Sequence, residues 1–265
     1  MKDAHGREIK YLRVSVTDRC NLRCKYCMPN GIECVGHKDI LSFEEIRQIA
    51  ACGAKLGITK IRLTGGEPLA RKGCPQLIRM LKEIPGMEKI AMTTNGTLVR
   101  AILPQLVEAG LDEINISLDT LDAETFAQIT GQDLLPEVLK SIDASLEAGL
   151  KVKVNAVSMP DTDWRRMVSL AKEKPVDVRF IELMPIGAGK QSKGRSNKEL
   201  LEEISNEYPE LQADNSVHGA GPAVYYKIPG FQGSIGLISA MHGKFCASCN
   251  RVRLTSTGFL KTCLC

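Results

Sequence analysis

The sequence has few aromatic residues and histidines and no long apolar run. Aromatic side chains make up 5% of its 265 residues, and four histidines and one tryptophan are present. No stretch approaches the roughly 18 consecutive apolar residues of a membrane-spanning helix, so we predict no membrane insertion. Neither a low-complexity tract nor a long block of like charge is present, and nothing in the composition suggests a disordered chain.

Charge and cysteine content narrow the class of protein further. The formal net charge of +4 is only mildly basic, which is compatible with a small anionic substrate and does not require nucleic acid. Ten cysteines would suit a disulfide scaffold, but proteins of that class are short and have a small hydrophobic core. This chain is long, is 43% hydrophobic and begins without an apolar signal region. We therefore expect a reducing, cytoplasmic location.

From residue 11 to about residue 209, short β-branched runs alternate with amphipathic stretches, a pattern typical of parallel βα units. Strands are predicted at residues 11–17, 60–64, 89–94, 113–118, 151–158 and 177–184. Ser42 and Glu45 predict a capping box at the start of the first helix, which Gly57 ends. Later helices are predicted at residues 75–84, 98–109, 135–148, 163–174 and 197–207.

Six βα units are fewer than the eight of a full barrel, and a doubly wound open sheet is the competing topology. Polar and glycine residues recur at or just beyond the ends of successive predicted strands, whereas a doubly wound sheet concentrates its ligand at one switch point. These residues are Cys20, Gly66, Glu67, Thr93, Asn95, Ser117, Asp119, Asn155, Glu182 and Met184. We predict an α/β fold, a partial (β/α)6 TIM-like barrel over residues 1–212. A C-terminal cluster-binding segment follows over 213–265, with short strands at 223–228 and 234–239.

The spacing Cys20-x3-Cys24-x2-Cys27 supplies three thiolates where a four-iron cluster takes four ligands, which leaves one iron open for chemistry. Structural zinc is the alternative. It usually takes four local ligands in paired groups, and the nearest further candidate, Cys34, lies beyond Pro29 and Gly31. The spacing therefore favours an iron–sulfur cluster.

A second group, Cys246-x2-Cys249-x13-Cys263, again offers three thiolates. Arg251 and Arg253 lie between them, and residues two apart in an extended segment share a face. Two arginines usually lie on a solvated surface. Beside a cysteine group, their planar guanidinium forks indicate instead a phosphorylated ligand.

The cysteine loop, Gly65-Gly66-Glu67-Pro68 and Thr93-Thr94-Asn95-Gly96 together resemble the radical S-adenosylmethionine (radical SAM) superfamily. The segment from Phe245 to Thr255, followed by Cys263, resembles the second cluster-binding segment of its GTP 3′,8-cyclase family, and the similarity runs over residues 7–264. The resemblance implies two [4Fe-4S] clusters and S-adenosyl-L-methionine. It also implies conversion of GTP to 3′,8-cyclo-7,8-dihydro-GTP, the first step of molybdenum cofactor biosynthesis.

The resemblance also implies roles for individual residues. The metal ligands are Cys20, Cys24 and Cys27 for the first cluster and Cys246, Cys249 and Cys263 for the second. The S-adenosylmethionine contacts are Tyr26, Gly65, Gly66, Glu67, Ser117 and Met184. The GTP contacts are Arg13, Arg62, Thr93, Lys153, Arg251, Val252 and Arg253, of which Arg13, Arg251 and Arg253 are also expected to be catalytic. Lys153 has an alternative explanation, the alternating face of an edge strand.

The same resemblance implies four partners: GTP, an electron donor such as flavodoxin or ferredoxin, a downstream cyclic pyranopterin monophosphate synthase, and a second copy of the chain in a homodimer. Two alternatives are a twin-cluster radical SAM enzyme that modifies peptides and a non-enzymatic zinc-binding module. The family continues to a Gly-Gly tail that this sequence does not contain, so we expect reduced turnover. Cys265 is a candidate for a fourth ligand of the second cluster.

Overall fold

The computed structural model describes residues 2–4, 6–28, 31, 35–186, 190, 193–243 and 245–263, and its strands form a single eleven-stranded sheet. The strands are β1 Tyr11–Ser15, β2 Lys60–Thr64, β3 Lys89–Thr94, β4 Glu113–Ser117, β5 Lys151–Ser158, β6 Asp177–Glu182, β7 Gln212–Asp214, β8 Val224–Lys227, β9 Ile235–Ile238, β10 Arg251–Leu254 and β11 Leu260–Lys261. The helices are α1 Phe43–Lys55, α2 Cys74–Lys82, α3 Val99–Glu108, α4 Ala123–Thr130, α5 Leu135–Glu147, α6 Trp164–Glu173 and α7 Asn197–Glu207.

The sheet has the sequential order of a barrel. Strands β1 to β6 are parallel, and each pairs with the next one along the chain. A doubly wound sheet would reverse its strand order at a switch point, so this order excludes that alternative. The predicted partial barrel is confirmed.

The C-terminal segment extends both edges of this sheet. Strand β9 pairs in parallel with β6, and β8 and β7 follow in antiparallel order. Strand β10 returns to pair in parallel with β1 on the opposite edge, with β11 outside it. The two predicted short strands correspond to β8 and β9, while the crossing from one edge to the other was not predicted. The domain division at 212/213 stays a prediction.

Side chains on the parallel strands alternate sharply in chemistry. On β2, Ile61 and Leu63 are fully buried among apolar residues, while Lys60 and Arg62 line the inside of the barrel. Strands β1 and β3 to β6 repeat this pattern. Successive residues of a strand point to opposite faces of the sheet. The apolar side chains therefore pack against the helices, and the polar side chains line the inside of the barrel.

Most predicted helices are confirmed within one or two residues, and the capping box is present. Ser42 accepts a hydrogen bond from the Glu45 backbone N–H at 3.1 Å, and the Glu45 carboxylate accepts one from the Ser42 N–H at 2.7 Å. Strands β1 and β6 end two residues before the predicted limits. After β1, Gly66 N–H donates to the Thr17 carbonyl, so the chain there makes loop contacts in place of a continued ladder.

One helix, α4, was not predicted. Asp122 caps its start by accepting from the Thr125 N–H at 2.9 Å, and Gly131 ends it with φ of +79°. Both signals are ordinary ones. The β4–β5 connection holds both α4 and α5, whereas the prediction placed only one helix there, at residues 135–148. In the described part of the chain, no helix is long and apolar enough to cross a membrane.

Candidate active site

The inner side chains of the parallel strands enclose a cavity with a strongly cationic lining. Among the residues that the structure describes, six basic side chains line it against one carboxylate, that of Glu113. The basic residues are Arg13, Lys60, Arg62, Lys153, Arg179 and Arg251. Tyr11, Thr93, Asn115 and Asn155 add polar groups, and Ala220, Gly221 and Pro222 form part of the rim. Burying cations without matching anions costs free energy, so this lining favours an anionic ligand.

Three arginines lie side by side across β10, β1 and β2. The strand register places Arg13 opposite Arg253 on one side and opposite Arg62 on the other. Burial lowers the pKa of Arg13, and the charge of Arg253 lowers it further. Its Nε is buried and has no hydrogen-bond partner among the described residues. Arg13 is therefore a cation in the lumen with hydrogen-bonding capacity left for a ligand.

Glu113 balances part of the positive charge. Its Oε2 lies 2.9 Å from Lys60 Nζ and 3.4 Å from Arg62 Nη2. Burial alone would raise the pKa of Glu113, but the Lys60 hydrogen bond and the surrounding cations lower it to about 2. Arg62 also donates to the Tyr11 hydroxyl and, at 3.4 Å, to Thr93 Oγ1. Arg62 is thus held by protein groups, and its position in the cavity is fixed.

Lys153 lies in the lumen, and the edge-strand explanation for it is wrong because β5 sits between β4 and β6. Its side chain is 3% exposed and its Nζ lies 3.9 Å from the Asp177 carboxylate. The Nζ also donates to the His218 carbonyl. Burial lowers the pKa of Lys153 to about 7, and the neighbouring charge of Arg179 contributes. Arg179 itself donates to Asn155 Oδ1 at 2.6 and 2.9 Å.

Lys60 and Arg179 also line the lumen, although neither belongs to the predicted site. Each lies two positions from a residue on the same lumen face, Lys60 from Arg62 and Arg179 from Ile181. The alternation of side chains along β2 and β6 is the sequence signal that marks both residues. Neither residue lies in one of the family motifs.

The first cysteine loop is held by the unpredicted helix α4. Arg23 N–H donates to the Thr130 carbonyl at 2.9 Å, and Lys25 N–H donates to the Ile129 carbonyl at 3.0 Å. The last carbonyls of a helix have no intrahelical donors, so the loop satisfies them. The helix end therefore supports the backbone that carries Cys24.

The Gly65-Gly66 pair lies against the chain that enters the cysteine loop. A Cβ on Gly65 would lie 2.4 Å from the Thr17 carbonyl oxygen, and one on Gly66 would lie 2.4 Å from the Arg19 carbonyl oxygen. Gly66 N–H donates to Thr17 and Glu67 N–H to Arg19, both at 2.8 Å. We expected the absence of Cβ atoms to let a cofactor approach the backbone of Gly65 and Gly66. In the structure, the backbone of Thr17 and Arg19 occupies the space beside these two glycines.

Glu67 is completely buried, and its carboxylate accepts several hydrogen bonds from protein groups. Oε1 accepts from the Leu69 N–H at 3.0 Å and the Thr94 hydroxyl at 2.8 Å, and Oε2 accepts from the Asn95 N–H at 2.7 Å. Burial raises the pKa of Glu67, while these bonds lower it in part. Glu67 thus ties the end of β2 to the end of β3, and its contact with a cofactor ammonium stays a prediction.

A small cavity beside the cysteine loop brings together three predicted residues, Cys24, Tyr26 and Ser117. Asp119 also lines it, and its Oδ2 accepts from the Tyr26 hydroxyl at 2.6 Å. Asp119 Oδ1 accepts from the Val157 N–H at 2.8 Å. The cysteine loop is therefore anchored to the ends of both β4 and β5. Asp119 was noted in the sequence only as a polar residue after a strand.

The second cysteine group lies at the other end of the barrel strands. Cys249 precedes β10, which runs parallel to β1, whereas Cys20 follows β1. Burial lowers the pKa of Arg253, and the positive charge of Arg251 lowers it further. The nearby thiols of Cys263 and Cys249 raise the pKa of Arg253. The two cysteine groups thus flank the lumen from opposite ends, with Arg253 beside the second.

The other predicted residues have no side chain that the structure places in the lumen or in the cavity beside the cysteine loop. The Val252 side chain packs in the hydrophobic core, so only its backbone is available to a substrate. Met184 is partly buried and lies two residues beyond β6, outside the residues that line the two cavities described above. Cys34 and Cys265 lie outside the described residues.

The donor set fits iron–sulfur chemistry. Burial raises the pKa of Cys24 to about 12, and the charges of Asp119, Cys27 and Cys20 contribute to the rise. Cluster binding requires thiolates, so iron must displace these protons. Among the described residues, no group of three or more His, Cys, Asp or Glu side chains is already arranged for a single metal ion.

We expect Gly66→Ala to destabilise the protein and its first cluster. The new Cβ would collide with the Arg19 backbone, and overpacking of this kind costs about 1 to 3 kcal/mol. Gly221→Ala is the matched control, since a Cβ there meets nothing within 4 Å. Thermal unfolding and iron content check both variants. Equal stability and iron content for Gly66→Ala and Gly221→Ala would contradict this account.

We expect binding of an anion in the lumen to be linked to proton uptake. Lys153 has a pKa of about 7, below its ordinary 10.5, so most of the free protein lacks this proton at pH 8. A bound polyphosphate favours the charged form and raises that pKa, so protons are taken up. Calorimetry with tripolyphosphate at pH 8, in two buffers of different ionisation enthalpy, measures the uptake. Lys153→Arg should abolish it, and equal uptake in both proteins would disprove the assignment.

Comparison with known families divides the chain into two matched regions. The radical SAM superfamily model matches residues 14–173, and the Molybdenum Cofactor Synthesis C model matches residues 176–265. GTP 3′,8-cyclase of Clostridium perfringens (strain 13 / Type A) is 48% identical over 268 residues, covering 100% of this chain and 83% of that protein. GTP 3′,8-cyclase of Alkaliphilus oremlandii (strain OhILAs) is 46% identical over 272 residues, with coverage of 100% and 83%.

Solved structures share the fold at low sequence identity. Streptococcus suis SuiB bound to S-adenosylmethionine superposes with a TM-score of 0.76 at 16% identity, over 97% of this chain and 60% of that one. Methylornithine synthase superposes with a TM-score of 0.60 at 18% identity, over 77% and 63% of the two chains. These likenesses support the fold. The match to the superfamily model and the identity to the cyclases together place this chain in the radical SAM superfamily, as a member of the GTP 3′,8-cyclase family.

Proposed function

We propose that this chain is a radical SAM GTP 3′,8-cyclase that converts GTP to 3′,8-cyclo-7,8-dihydro-GTP, the first step of molybdenum cofactor biosynthesis. The observation that carries the proposal is the cationic lumen between two groups of three cysteines. A nucleoside triphosphate supplies the negative charge that this lumen lacks. A peptide-modifying enzyme or a structural zinc module would have no need for this concentration of lumen cations.

The arrangement along β1 suits a reaction between two separated centres. The five residues of β1 span roughly 16 Å, with the first cysteine loop beyond one end and Cys249 near the other. A substrate in the lumen would therefore lie between both groups. Radical chemistry needs such enclosure because a reactive intermediate must meet its substrate before it meets water.

In this proposal the basic lining residues bind and orient GTP. Arg13 has a free buried Nε, and Arg251 and Arg253 lie on the neighbouring strand. Planar guanidinium groups bind phosphate oxygens in pairs, which fixes orientation as well as charge. Arg62, Thr93 and Lys153 complete the predicted contacts, with the backbone of Val252, and the missed residues Lys60 and Arg179 join them on the lumen wall. The catalytic assignments of Arg13, Arg251 and Arg253 rest on this position.

The remaining residues would hold the cofactors. Cys20, Cys24 and Cys27 would ligate the first [4Fe-4S] cluster, and Cys246, Cys249 and Cys263 the second. Tyr26, Ser117, Gly65, Gly66, Glu67 and Met184 would surround S-adenosylmethionine. When bound, these cofactors supply a 5′-deoxyadenosyl radical that takes the 3′ hydrogen of GTP. The chain itself supplies position, charge and shielding.

The partners extend this proposal. The reaction needs an external one-electron donor, such as flavodoxin or ferredoxin, and its product passes to a cyclic pyranopterin monophosphate synthase. A homodimer and a cytoplasmic location complete the proposed setting.

An anaerobic assay with S-adenosylmethionine, GTP and dithionite tests the function directly. We expect 5′-deoxyadenosine together with a cyclised nucleotide. Cys24→Ala should abolish cofactor cleavage and keep iron at the second site. Cys52→Ala, which removes an exposed thiol on α1, should change neither. Zinc in place of iron and sulfide, or undiminished 5′-deoxyadenosine from Cys24→Ala, would refute the assignment.

Arg253→Ala should weaken GTP binding by about 1.5 to 3 kcal/mol, the scale of hydrogen bonds to charged groups. Arg253→Lys should restore only part of the loss, since an ammonium lacks the guanidinium fork. Arg79→Ala, which removes an exposed arginine on α2, is the control. Calorimetry measures all three. GTP affinity that is the same for wild type and Arg253→Ala would remove this residue from the site.

A further inference from the structure

A second basic cavity lies outside the barrel lumen, beside the first cysteine loop. Thr17, Arg19, Ile40, Ala70, Arg71 and Lys72 line this surface cavity, which we call the Arg19 hollow. Among the described residues, it shares no lining residue with the lumen. Three of its six described lining residues are basic and none of the six is acidic. The substrate site does not account for this charge.

One cation of the Arg19 hollow is built into the protein. Arg71 Nη1 donates to the Val16 carbonyl at 2.7 Å, and Nη2 donates to the Leu41 carbonyl at 2.8 Å. Its guanidinium also lies 4.2 Å from the centroid of the Phe43 ring. Backbone carbonyls and an aromatic face position the guanidinium without neutralising it. The wall of the hollow is therefore a fixed positive charge.

The other two cations are exposed and free of carboxylate partners. Within the described part of the chain, no ion pair within 4.0 Å involves Arg19, Arg71 or Lys72. The carboxylate of Glu44, at the start of α1, interacts electrostatically with Arg71 but forms no ion pair with it within 4.0 Å. Most other surface cations of the barrel helices have acidic neighbours, as Arg166 has in Asp122 and Asp163.

The location of the hollow connects it to electron entry. Arg19 precedes Cys20 directly in the chain, and the Arg19 carbonyl accepts the hydrogen bond that links the cysteine loop to Glu67. A molecule seated in the hollow therefore lies beside a ligand of the first cluster without entering the lumen. It would not compete with GTP or with the cofactor cavity around Tyr26.

We propose that the Arg19 hollow is the docking site of an acidic one-electron donor protein, an inference that rests on the proposed function. One electron passes from the reduced donor to the first cluster, so the donor is oxidised and the cluster is reduced by one electron, and no bond forms or breaks. Weak redox complexes use small interfaces, and opposite charges raise their association rates. One fixed cation and two exposed ones, with Ile40 and Ala70 as apolar neighbours, suit such an encounter.

The test uses the reconstituted full chain carrying Arg19→Glu and Lys72→Glu together. Arg71 is left intact because it supports two backbone carbonyls. The control pair is Lys172→Glu with Lys198→Glu, two exposed lysines on α6 and α7, which changes the formal charge by the same amount. Stopped-flow absorbance follows reduction of the cluster, with a reduced acidic flavodoxin or with dithionite as the donor. This readout does not depend on GTP turnover.

We expect the hollow pair to slow reduction by flavodoxin at low salt by about tenfold or more, the scale of electrostatic steering. Reduction by dithionite should stay within about twofold of wild type, and the control pair should resemble wild type with both donors. Added salt should slow flavodoxin with wild type more than with the hollow pair. Equal flavodoxin rates for the two pairs, or an equal loss with dithionite, would overturn the docking site. Wild-type protein whose cluster is reduced but that never forms a cyclised nucleotide would instead refute the proposed function.

Discussion

The structure depends on one constraint, the confinement of several like charges inside a barrel built from alternating strands. The apolar residues of β1 to β6 must face the helices to form the core, and the period of two then forces Arg13, Arg62, Lys153 and Arg179 into the lumen. Glu113 and Asp177 offset only part of this charge. Burial first, and then the charge of Arg179, lower the pKa of Lys153, and an anionic ligand would favour its charged form.

The same alternation explains why the walls hold their shape without a ligand. Arg62 is fixed by Tyr11, Thr93 and Glu113, and Arg179 by Asn155. Arg13 is the exception, because its Nε has no partner among the described residues. A site that is largely pre-organised, with a buried guanidinium nitrogen of Arg13 still available to a ligand, loses little free energy to reorganisation on binding. The buried basic residues therefore cost folding free energy, and the same residues recognise an anionic ligand.

The first cysteine loop lacks regular structure and depends on its neighbours for shape. Carbonyls at the end of α4 accept from its backbone, Gly65 and Gly66 pack against its entry, and Asp119 binds the Tyr26 hydroxyl. These contacts come from the end of α4 and from the ends of β2 and β4. A cluster held in this way keeps a fixed position relative to the lumen, which matters because catalysis is sensitive to small displacements of the reacting groups.

Within the described residues, local pattern in the sequence predicted eight of the eleven strands, six of the seven α-helices and the barrel class, and it marked both cysteine groups. These features depend on periodicity, capping and ligand spacing, all of which act between residues close in the chain. The family resemblance pointed to Arg13, Arg62 and Lys153, although the alternation of residues 151–155 left Lys153 open to an edge-strand explanation. Only the tertiary structure settled that point, by placing β5 inside the sheet.

Long-range pairing decided the rest. The return of β10 to β1 aligns Arg253 with Arg13 and puts the second cysteine group at the end of the barrel opposite the first. Nothing local in residues 246–263 specifies that partner strand. The roles of Lys60, Arg179 and Asp119, and the packing of Val252 into the core, likewise follow from which strands are neighbours. The sequence by itself thus determined the chemistry available to this protein, and the tertiary structure determined where that chemistry meets, because charge and hydrogen bonding act through space between residues far apart in the chain.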